Sequence, residues 1–582
     1  MALQGRMIWP SVALALALVV TIGVPLTTAA QPPPEGPPPY TPAPGAKDLK
    51  SVLFNWTWHM GMLRGVEEHE LAVSLEYQGN GTIQVNGQPC TLTKYRASTN
   101  YQLPGQRVQY TCTRSNGQPY SAIEVVSGTF AWNEDQPGAE LVAGRGKATP
   151  TPRAVQERLI RLWASPQGAA KAALAGAGLP LTAADRNPGG RLQEGAAKIG
   201  ETSVAWEGNK PVVTFPIPGV AGAMATATLD DRFMAERVVV KQGSTTTEFE
   251  YSHYDDWNNE LNKIEAYYAG KIVERRNGTV VRDLTTTETE TGSVYVVMPV
   301  PASVGKAPGF PLFATDRTVA LTSTAETPRM DDGKPDLTGN WNAAGMNWRY
   351  GNRRCAPTQL EGCTPAWNQT LDFEFEAPSR FGPNRPLYKP EHWDKVIALD
   401  MWTNKEDPVM TCQPLGIPRQ GPPRRIIQSP NDVVFFYGQY GDGGGGQAEF
   451  RIIPTDGRER NERDGRETKY YGYTLGKWEG DTLVLDSTSF NDYTWLARGG
   501  FFHSDQMHVV EKLTRKGDEM LYEVTVEDPV VLLEPWVMTP RILRFSPANV
   551  SEFPGFPPGL GVTERGHCEV YELEDISTQI RH

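Results

Sequence analysis

Segments in which apolar and polar residues alternate recur along much of the chain. In the first half they are short, rich in β-branched and aromatic residues, and separated by turn signals such as NG, GNG and QPG. A period of two residues between such turns predicts antiparallel strands. The predicted strands of this half are Leu71–Tyr77, Val108–Thr113, Ala122–Val126, Arg237–Lys241, Thr247–His253, Lys271–Glu274 and Ser293–Met298.

Two stretches of the first half have helical spacing instead. Between Thr151 and Ala164, Leu159 and Trp163 recur on one face, and Pro152 suits the first turn of a helix. The alanine-rich stretch Pro166–Ala175 predicts a second helix. We therefore expect a curved sheet around one or two helices. In outline this resembles the LolA-like half-barrel of bacterial periplasmic lipoprotein carriers, and the resemblance implies the fold alone.

The second half contains a more regular series of alternating segments. Helical spacing occurs there at Glu391–Trp402, after Pro390. Consecutive antiparallel strands with short turns favour a lipocalin-like or calycin-like β-barrel, or else a sandwich, so the whole chain is expected to be mainly β. The predicted strands are Asp432–Tyr437, Ala448–Pro454, Lys469–Leu475, Thr482–Ser487, Met507–Arg515, Leu521–Glu527 and Arg541–Phe545.

The first thirty residues have the three-part layout of a secretory signal peptide. Arg6 precedes the apolar run Val12–Val24, and the small residues Thr28, Ala29 and Ala30 follow it. The run of 13 residues is shorter than the roughly 17–25 that a membrane-spanning helix needs. We therefore predict cleavage after Ala30 and export to the periplasm or the exterior.

Composition divides the remainder into four parts. Residues 31–46 are too proline-rich for a helix or a sheet and predict an extended linker. Residues 47–304 form the predicted LolA-like β domain, and 305–334, rich in Pro, Asp and Gly, form the predicted boundary. Residues 335–582 form the predicted β-barrel-like domain.

Net charge and cysteine content limit the partners and the compartment. A formal charge of −12 argues against nucleic acid and anionic membranes as partners, because no basic patch is available to bind phosphates. An even number of cysteines, six, in an exported chain predicts disulfides. Spacing favours the pairs Cys90–Cys112 and Cys355–Cys363, which leaves Cys412 with Cys568.

Five ordered blocks in the second half carry a family resemblance. Over residues 335–576 the chain resembles a large family of exported bacterial proteins that has no established function. The match to ordered blocks indicates a family rather than an activity. The blocks are PDLTGNW (335–341), DPVMTCQPLGIPR (407–419), GKWEGDTLVLDSTSFND (476–492), TWLARGGFFHSDQMHVVEKLTR (494–515) and YEVTVEDP (522–529).

The densest group of potential ligands and proton carriers comprises His503, Asp505, His508 and Glu511, in a chain with only eight histidines. Such side chains bind transition metals or transfer protons when they converge. On one extended strand, however, Glu511 is about 26 Å from His503, and His508 points to the opposite face. This segment alone therefore cannot hold one metal ion, and we predict no metal site.

Two smaller hypotheses remain for these four residues. Asp505 could orient the imidazole of His503 as in many general-base arrangements, or His503 could cap a turn and have no catalytic role. Glu511 is in phase with the apolar residues Met507, Val509 and Leu513. It is therefore either a functional group inside a barrel or a buried ion-pair partner.

Aromatic residues interleaved with polar ones precede this segment. Such a combination suits a small-molecule pocket at the mouth of a barrel, although packing at the end of a barrel uses the same residues. The chain has no nucleotide-binding loop, nucleophile elbow or HExxH motif, so no cofactor is indicated. The candidate ligand-binding residues are Trp478, Asn491, Asp492, Tyr493 and Trp495.

Three functions are compatible with these patterns. The first is an exported protein that binds an apolar or amphipathic small molecule, indicated by fold type and aromatic clustering. The second is a periplasmic hydrolase, lyase or isomerase that uses His503 and Asp505 as proton carriers. The third is a structural protein associated with the cell envelope. Whether His503, Asp505 and Glu511 line one pocket distinguishes the second function from the others.

Overall fold

The computed structural model describes residues 43–62, 74–101, 104–177, 201–257, 267–292, 294–305, 321–343, 385–399, 407–437, 449–461, 466–497, 500–538 and 540–546. The predicted signal peptide and most of the predicted linker 31–46 lie outside these residues. Within the described parts of the chain, no helix combines the length and the apolar character needed to cross a membrane. The described chain is mainly β, as the sequence predicts.

Thirteen antiparallel strands form the first sheet, which we call the half-barrel. Strands β1–β6 and β7–β13 each follow one another in space, and β1 pairs with β13 to join the two series. The strands are β1 Ser74–Val85, β2 Gln88–Asn100, β3 Gly105–Arg114, β4 Pro119–Ser127, β5 Phe130–Glu134, β6 Ala148–Pro150, β7 Ser203–Glu207, β8 Lys210–Pro216, β9 Met224–Leu229, β10 Ala235–Gln242, β11 Thr245–Asp256, β12 Tyr267–Arg276 and β13 Thr279–Gly292.

The half-barrel bends where its two series of strands meet. The register between β1 and β13 shifts at Gln78 and Gly79, and such irregularities bend a strand. Gly81 nearby has a φ of +134°, and a Cβ there would lie 2.0 Å from the carbonyl oxygen of Asp283. Only glycine fits this close approach, so the sequence itself specifies the bend.

Three helices pack against the sheet in one apolar core. They are α1 Leu49–His59, α2 Val155–Trp163 and α3 Pro166–Gly176. The Asp48 side chain caps α1 by accepting a hydrogen bond from the Ser51 N–H. Every residue of α3 is buried, and its many alanines let it lie deep in the core. The expected curved sheet with helices is therefore confirmed, with α1 as an additional helix.

A second antiparallel sheet of ten strands, which we call the barrel, forms the other half of the chain. Its order is β17-β16-β15-β14-β25-β23-β22-β19-β18, with β24 also paired to β23. A separate hairpin, β20 and β21, follows β19. The strands are β14 Gly339–Ala343, β15 Arg425–Gln428, β16 Asp432–Phe436, β17 Phe450–Pro454, β18 Tyr473–Glu479, β19 Thr482–Thr488, β20 Trp495–Ala497, β21 Phe501–Phe502, β22 His508–Lys516, β23 Glu519–Glu527, β24 Trp536–Val537 and β25 Arg541–Ser546.

The barrel is nearly closed because β17 and β18, the strands at the two ends of the sheet, approach each other. The Arg451 guanidinium on β17 donates to Thr474 Oγ1 on β18 at 2.8 Å. Gly476 of β18 is so close to the end of β17 that a Cβ would lie 2.8 Å from Thr455 Cγ2. Side-chain contacts therefore bridge the seam between β17 and β18.

Three predictions of secondary structure were wrong in part. Residues 294–298, predicted as a strand with Ser293, lie outside any strand. Their carbonyl groups accept from side chains instead, Val294 from Ser74 and Val296 from Asn100. Of the predicted strand Lys469–Leu475, only residues 473–475 lie in a strand. Within the described part of the helix expected over Glu391–Trp402, the α-helix is α4 Trp393–Ala398, and residues 400–402 lie outside the described residues.

The half-barrel and the barrel contact each other through α4. The Trp393 ring lies 4.5 Å from the Arg107 guanidinium of β3, and Asp394 accepts from Arg96 of β2 at 3.2 Å. The predicted boundary also touches the barrel, since Thr322 donates to Glu519 and Arg329 to Asp481. The described part of the predicted boundary, residues 321–334, is therefore bound to the barrel.

The predicted Cys90–Cys112 disulfide is confirmed. It joins the adjacent strands β2 and β3, where Cys90 and Cys112 are both fully buried. Cys412 is also in a disulfide, and its partner lies outside the described residues. Cys355, Cys363 and Cys568 lie outside them too, so the predicted pairs of these residues stay predictions.

Candidate functional site

His503 follows β21 and is 3% exposed. Its Nδ1–H donates to the Ser504 carbonyl at 2.9 Å, which leaves Nε2 to accept from the Thr494 hydroxyl at 2.7 Å. The edge of the Phe490 ring packs on the imidazole. Burial lowers the pKa of His503, although the Ser504 carbonyl and Asp528 oppose the shift. The imidazole is therefore held neutral and fixed by two hydrogen bonds.

The predicted pair of His503 with Asp505 is wrong. Asp505 is exposed, whereas both ring nitrogens of His503 bond to Thr494 and Ser504. The carboxylate beside this loop is Asp528, which accepts from the Ser504 N–H at 2.7 Å and from its hydroxyl at 2.9 Å. Asp528 also accepts from the backbone of Val530, so it fixes two loops. This arrangement agrees with the structural interpretation of His503.

His508 lies apart from His503, on the outer side of β22. Its Nδ1 is 3.2 Å from Glu527 and its Nε2 is 3.3 Å from Asp486, on the two neighbouring strands. All three side chains are substantially exposed. Such surface contacts contribute little to stability, about 0–1 kcal/mol each. His508 therefore does not join His503 in one site.

Of the two hypotheses for Glu511, the structure agrees with the buried ion-pair partner. It is 0% exposed and accepts from Arg451 at 2.7 Å and from the Tyr522 hydroxyl at 2.8 Å. Arg451 also donates to the Tyr437 hydroxyl at 2.9 Å and to Ser487 at 3.2 Å. Burial opposes charge on Arg451, but the nearby Glu511 carboxylate outweighs it and raises the pKa of the guanidinium. The Arg451 guanidinium therefore stays charged inside the barrel.

The five predicted ligand-binding residues have different surroundings. Asn491 accepts from the backbone N–H of Tyr493 at 3.2 Å and so shapes a turn. Asp492 is exposed, as is Tyr493, at 61%. Trp495 is buried beside Arg419, and Trp478 packs partly buried against the barrel core. Trp495 and Trp478 therefore serve packing, while Asn491 to Tyr493 form a surface turn.

No group of three or more His, Cys, Asp or Glu side chains among the described residues is arranged to hold a metal ion. The histidines and carboxylates of the predicted cluster are separated as described above, His503 inside the loop and His508 on the outer surface. The predicted catalytic residues of the barrel therefore do not converge. The polar contacts described above stabilise the barrel.

The interior of the half-barrel has a different character, because aromatic side chains with polar tips face its helices. Tyr77, Tyr95, Tyr101, Tyr251 and Tyr268 are all buried in the same core as α2 and α3. Tyr77 packs on Tyr268 with ring centroids 5.1 Å apart. Burial raises the pKa of Tyr251 and of Tyr268 well above the usual range. These hydroxyls therefore stay protonated and neutral.

Three charged side chains of this interior, Arg161, Glu274 and Arg282, form one cluster. Arg161 of α2 lies 3.2 Å from Glu274 of β12, and Arg282 of β13 lies 3.0 Å from the same carboxylate. Arg282 also donates to the Tyr95 hydroxyl at 2.6 Å. Burial opposes ionisation of Glu274, but Arg161 and Arg282 outweigh it and lower the pKa of the carboxyl. These contacts tie α2 to the sheet.

Two indoles in the helices lack the hydrogen bond that a buried indole normally makes. Trp56 of α1 and Trp163 of α2 are both 0% exposed, and neither Nε1–H has a partner. Buried polar atoms are hydrogen-bonded in at least about nine cases of ten, and an unsatisfied one costs about 1–3 kcal/mol. Five other described indoles donate to an oxygen: Trp132, Trp206, Trp257, Trp341 and Trp393.

Gln167 near the start of α3 adds a third unsatisfied atom. Gln167 is 1% exposed, and its Nε2 donates to the Tyr267 carbonyl at 2.9 Å, while its Oε1 has no partner. Tyr267 also bonds through its N–H to the Met60 carbonyl at the end of α1, one turn after Trp56. The three residues that carry these atoms therefore belong to α1, α2 and α3, and we call the region where these helices meet the helix junction.

Most of the remaining unsatisfied buried atoms are single guanidinium nitrogens. Arg451 Nε is one example, and the other N–H groups of Arg451 are all bonded. A tryptophan has only one polar atom, so Trp56 and Trp163 leave their whole hydrogen-bonding capacity unused. Thr151 and Thr289 also leave their only polar side-chain atom unsatisfied, and the helix junction holds the two indoles and the Gln167 oxygen.

The residues of the helix junction could not be predicted from the sequence, because no motif marks them. Trp163 was recognised as part of the apolar face of a helix, and Gln167 lies in an alanine-rich stretch without other signals. Arg451 was detectable in principle, because it is in phase with the buried Ile453 on β17. Asp528, directly before Pro529 at a strand end, is a typical turn-stabilising position.

Comparison with family models and with curated proteins gives no match to this chain. The resemblance of residues 335–576 to exported bacterial proteins therefore stays a prediction.

The buried ion pair gives the first testable prediction. Glu511→Gln removes the charge that compensates Arg451 and is expected to lower the free energy of unfolding by about 3–5 kcal/mol. The double variant Glu511→Leu with Arg451→Met removes both charges and is expected to regain most of this loss. Urea unfolding followed by far-ultraviolet circular dichroism measures both, with the exposed Glu527→Gln as control. Equal losses in the two Glu511 variants would contradict the ion-pair account.

His503 makes stability depend on pH. Its folded-state pKa is below the ordinary value of 6.5, so the unfolded chain binds the extra proton. The stabilisation is complete above pH 6.5 and is lost as the pH falls toward the folded-state pKa. We expect His503→Gln to make the thermal midpoint of the barrel less sensitive to pH between 7 and 5. The exposed His253→Asn serves as control, and an unchanged pH dependence in His503→Gln would show that the imidazole is not held neutral.

Proposed function

We propose that this chain is an exported protein that binds an apolar or amphipathic small molecule at the helix junction of the half-barrel. The observation that carries the proposal is the pair of fully buried indoles, Trp56 and Trp163, whose N–H groups have no partner. A ligand with a hydrogen-bond acceptor would satisfy them. Small-molecule sites are mostly apolar with a few convergent polar groups, which describes this region.

The lining of the half-barrel supports an amphipathic ligand. Trp163 packs 6.0 Å from Tyr101 and Trp56 packs 6.4 Å from Phe215, so large apolar surfaces surround both N–H groups. Among the charged residues of the interior, Arg282 pairs with Glu274. A ligand at the two indoles meets aromatic surface and the two neutral N–H groups.

Export is part of the same proposal. The layout of residues 1–30 supports it, and the Cys90–Cys112 disulfide is compatible with an oxidising compartment. Protein recovered from the periplasm or the medium of its own host is expected to begin at Gln31 when its N-terminus is sequenced. Recovery of a chain that still carries residues 1–30 in the cytoplasmic fraction would contradict export.

Binding is tested on the full mature chain with N-phenyl-1-naphthylamine, a neutral apolar fluorescent probe. We expect saturable binding of one probe per chain, and native mass spectrometry of protein purified without detergent is expected to show a retained organic molecule. Trp163→Phe should weaken probe binding, because it changes the wall of the site. The control Trp341→Phe removes a bonded indole of the barrel and should leave probe binding unchanged. If the probe does not bind saturably and no retained molecule is found, the structural role is favoured over the binding role.

A further inference from the structure

The outer face of the barrel carries a group of adjacent apolar side chains on β15, β16 and β17. In one cross-strand row Ile427 lies opposite Val434, which lies opposite Ile452. Two residues along the strands, Phe436 lies opposite Phe450, with ring centroids 6.4 Å apart. These five residues form one surface, which we call the outer patch.

The outer patch is open to solvent. Ile452 is 63% exposed, Phe450 is 59% exposed and Ile427 is 41% exposed, whereas Val433 and Ile453 on the inner face are fully buried. Single exposed apolar residues are normal on a protein surface, but contiguous ones mark an interaction surface. The patch also lies at the end of the sheet, where exposed apolar strands favour aggregation. We therefore expect another element to cover it.

The charge of the chain disfavours two of the candidate occupants. A formal charge of −12 opposes the close approach of a second copy of the chain and of an anionic membrane, because like charges repel. A segment of the same chain is tethered to the barrel and meets no such barrier.

The chain leaves the barrel beside the outer patch. β25 ends at Ser546, which pairs with Asn340 of β14, and Asn340 pairs with Arg425 of β15. Arg425 lies opposite Phe436, so β25 ends in the same cross-strand row as this residue of the patch. Continued past Ser546, the direction of β25 leads toward the row of Ile427.

Residues 547–582 follow β25, and their beginning is within reach of the patch. Phe450 lies four strands from β25, about 19 Å along the sheet at ~4.8 Å per strand. Phe553 comes seven residues after Ser546, so an extended chain places it as far as about 23 Å away at ~3.3 Å per residue. The segment 549–562 contains the apolar residues Val550, Phe553, Phe556, Leu560 and Val562.

Two other stretches outside the described residues are less suited to cover the patch. Residues 344–384 follow Ala343, which pairs with Leu543 at the other end of β14, so the chain leaves there in the direction away from the patch. Residues 438–448 precede β17 and read GQYGDGGGGQA, which offers little apolar surface.

We propose that residues 549–562 of the same chain pack across the outer patch. Phe553 and Phe556 lie against Phe450 and Ile452, and the segment covers the apolar end of the sheet. This intramolecular contact is separate from the proposed ligand site in the half-barrel.

The prolines of this segment determine how it makes contact. Pro554, Pro557 and Pro558 have no N–H group, so the segment cannot pair along its length as a further strand of the sheet. The close approach of Gly476 to Thr455 also restricts the free edge of β17. The segment therefore covers the outer face through its side chains.

Photochemical cross-linking on the full mature chain tests this proposal. Phe450 is replaced by p-benzoylphenylalanine, which keeps an aromatic side chain and reacts with groups in contact upon irradiation. Peptide mapping by mass spectrometry is expected to find the main cross-link within residues 549–562, with a yield that does not depend on protein concentration. The same label at Tyr493, which is 61% exposed in a surface turn outside the patch, should not reach this segment.

Variants of the labelled chain identify the contact. The double variant Phe553→Ser with Phe556→Ser should abolish most of the cross-link, because it removes both aromatic side chains of the segment. Ile452→Ser should reduce it as well. Val537→Ser on β24 changes a side chain that is also 61% exposed but lies outside the patch, and it should leave the yield unchanged. Thermal melting checks that each variant is folded.

Other occupants of the patch give different products. Covalent dimers whose yield rises with protein concentration would identify a second copy of the chain, and transfer of the label to phosphatidylethanolamine vesicles would identify a lipid surface. Either result would overturn the proposal. Cross-links to residues 344–384 or 438–448, equal cross-linking of 549–562 from position 493, or no cross-link at all would overturn it too.

Discussion

A buried polar atom must find a hydrogen-bond partner, and this constraint shapes both halves of the protein. In the barrel the constraint is strongest for Arg451 and Glu511, because both are charged and buried. They satisfy it by pairing with each other at 2.7 Å. The same guanidinium also donates to Thr474 across the seam, so the residue that neutralises Glu511 also connects β17 to β18. Closure of the sheet and burial of the charge depend on one another.

In the half-barrel the same constraint is satisfied for the Glu274 carboxylate but not for two indoles and one amide. Glu274 has two arginine partners, whereas Trp163 and Gln167 leave an N–H and a carbonyl oxygen unused in the core. Unsatisfied groups lower stability, so a site that retains them is suited to a ligand that supplies what is missing. This contrast is the reason that the binding function is proposed for the half-barrel, although the barrel carries the residues that first suggest chemistry.

The sequence predicts local features well because alternation reports directly which face of a strand is buried. Glu511 was expected to face inward with Val509 and Leu513, and it does. Its partner Arg451 lies 60 residues earlier in the chain. Alternation carries no information about which distant strand lies near Glu511 in the folded barrel. His503 and Asp505 were paired on the assumption of an extended segment, but the chain turns there and directs Asp505 to solvent.

The helix junction could not be predicted for a related reason. Whether Trp163 or Gln167 has a partner depends on β12 and α1, which are distant in sequence from both residues. A missing hydrogen bond also leaves no mark in a sequence, because it is defined by what surrounds the atom. Trp341, which is bonded, and Trp163, which is not, cannot be distinguished by their sequence neighbours.

A crystal structure of the mature protein, purified from its own host without detergent, tests the central claim most directly. The account predicts continuous electron density for an organic molecule between the helices and the sheet. An acceptor atom of it should lie about 2.7–3.2 Å from the Nε1 of Trp56 or of Trp163. Close-packed side chains with no such density, or a lone water molecule at these two atoms, would contradict it.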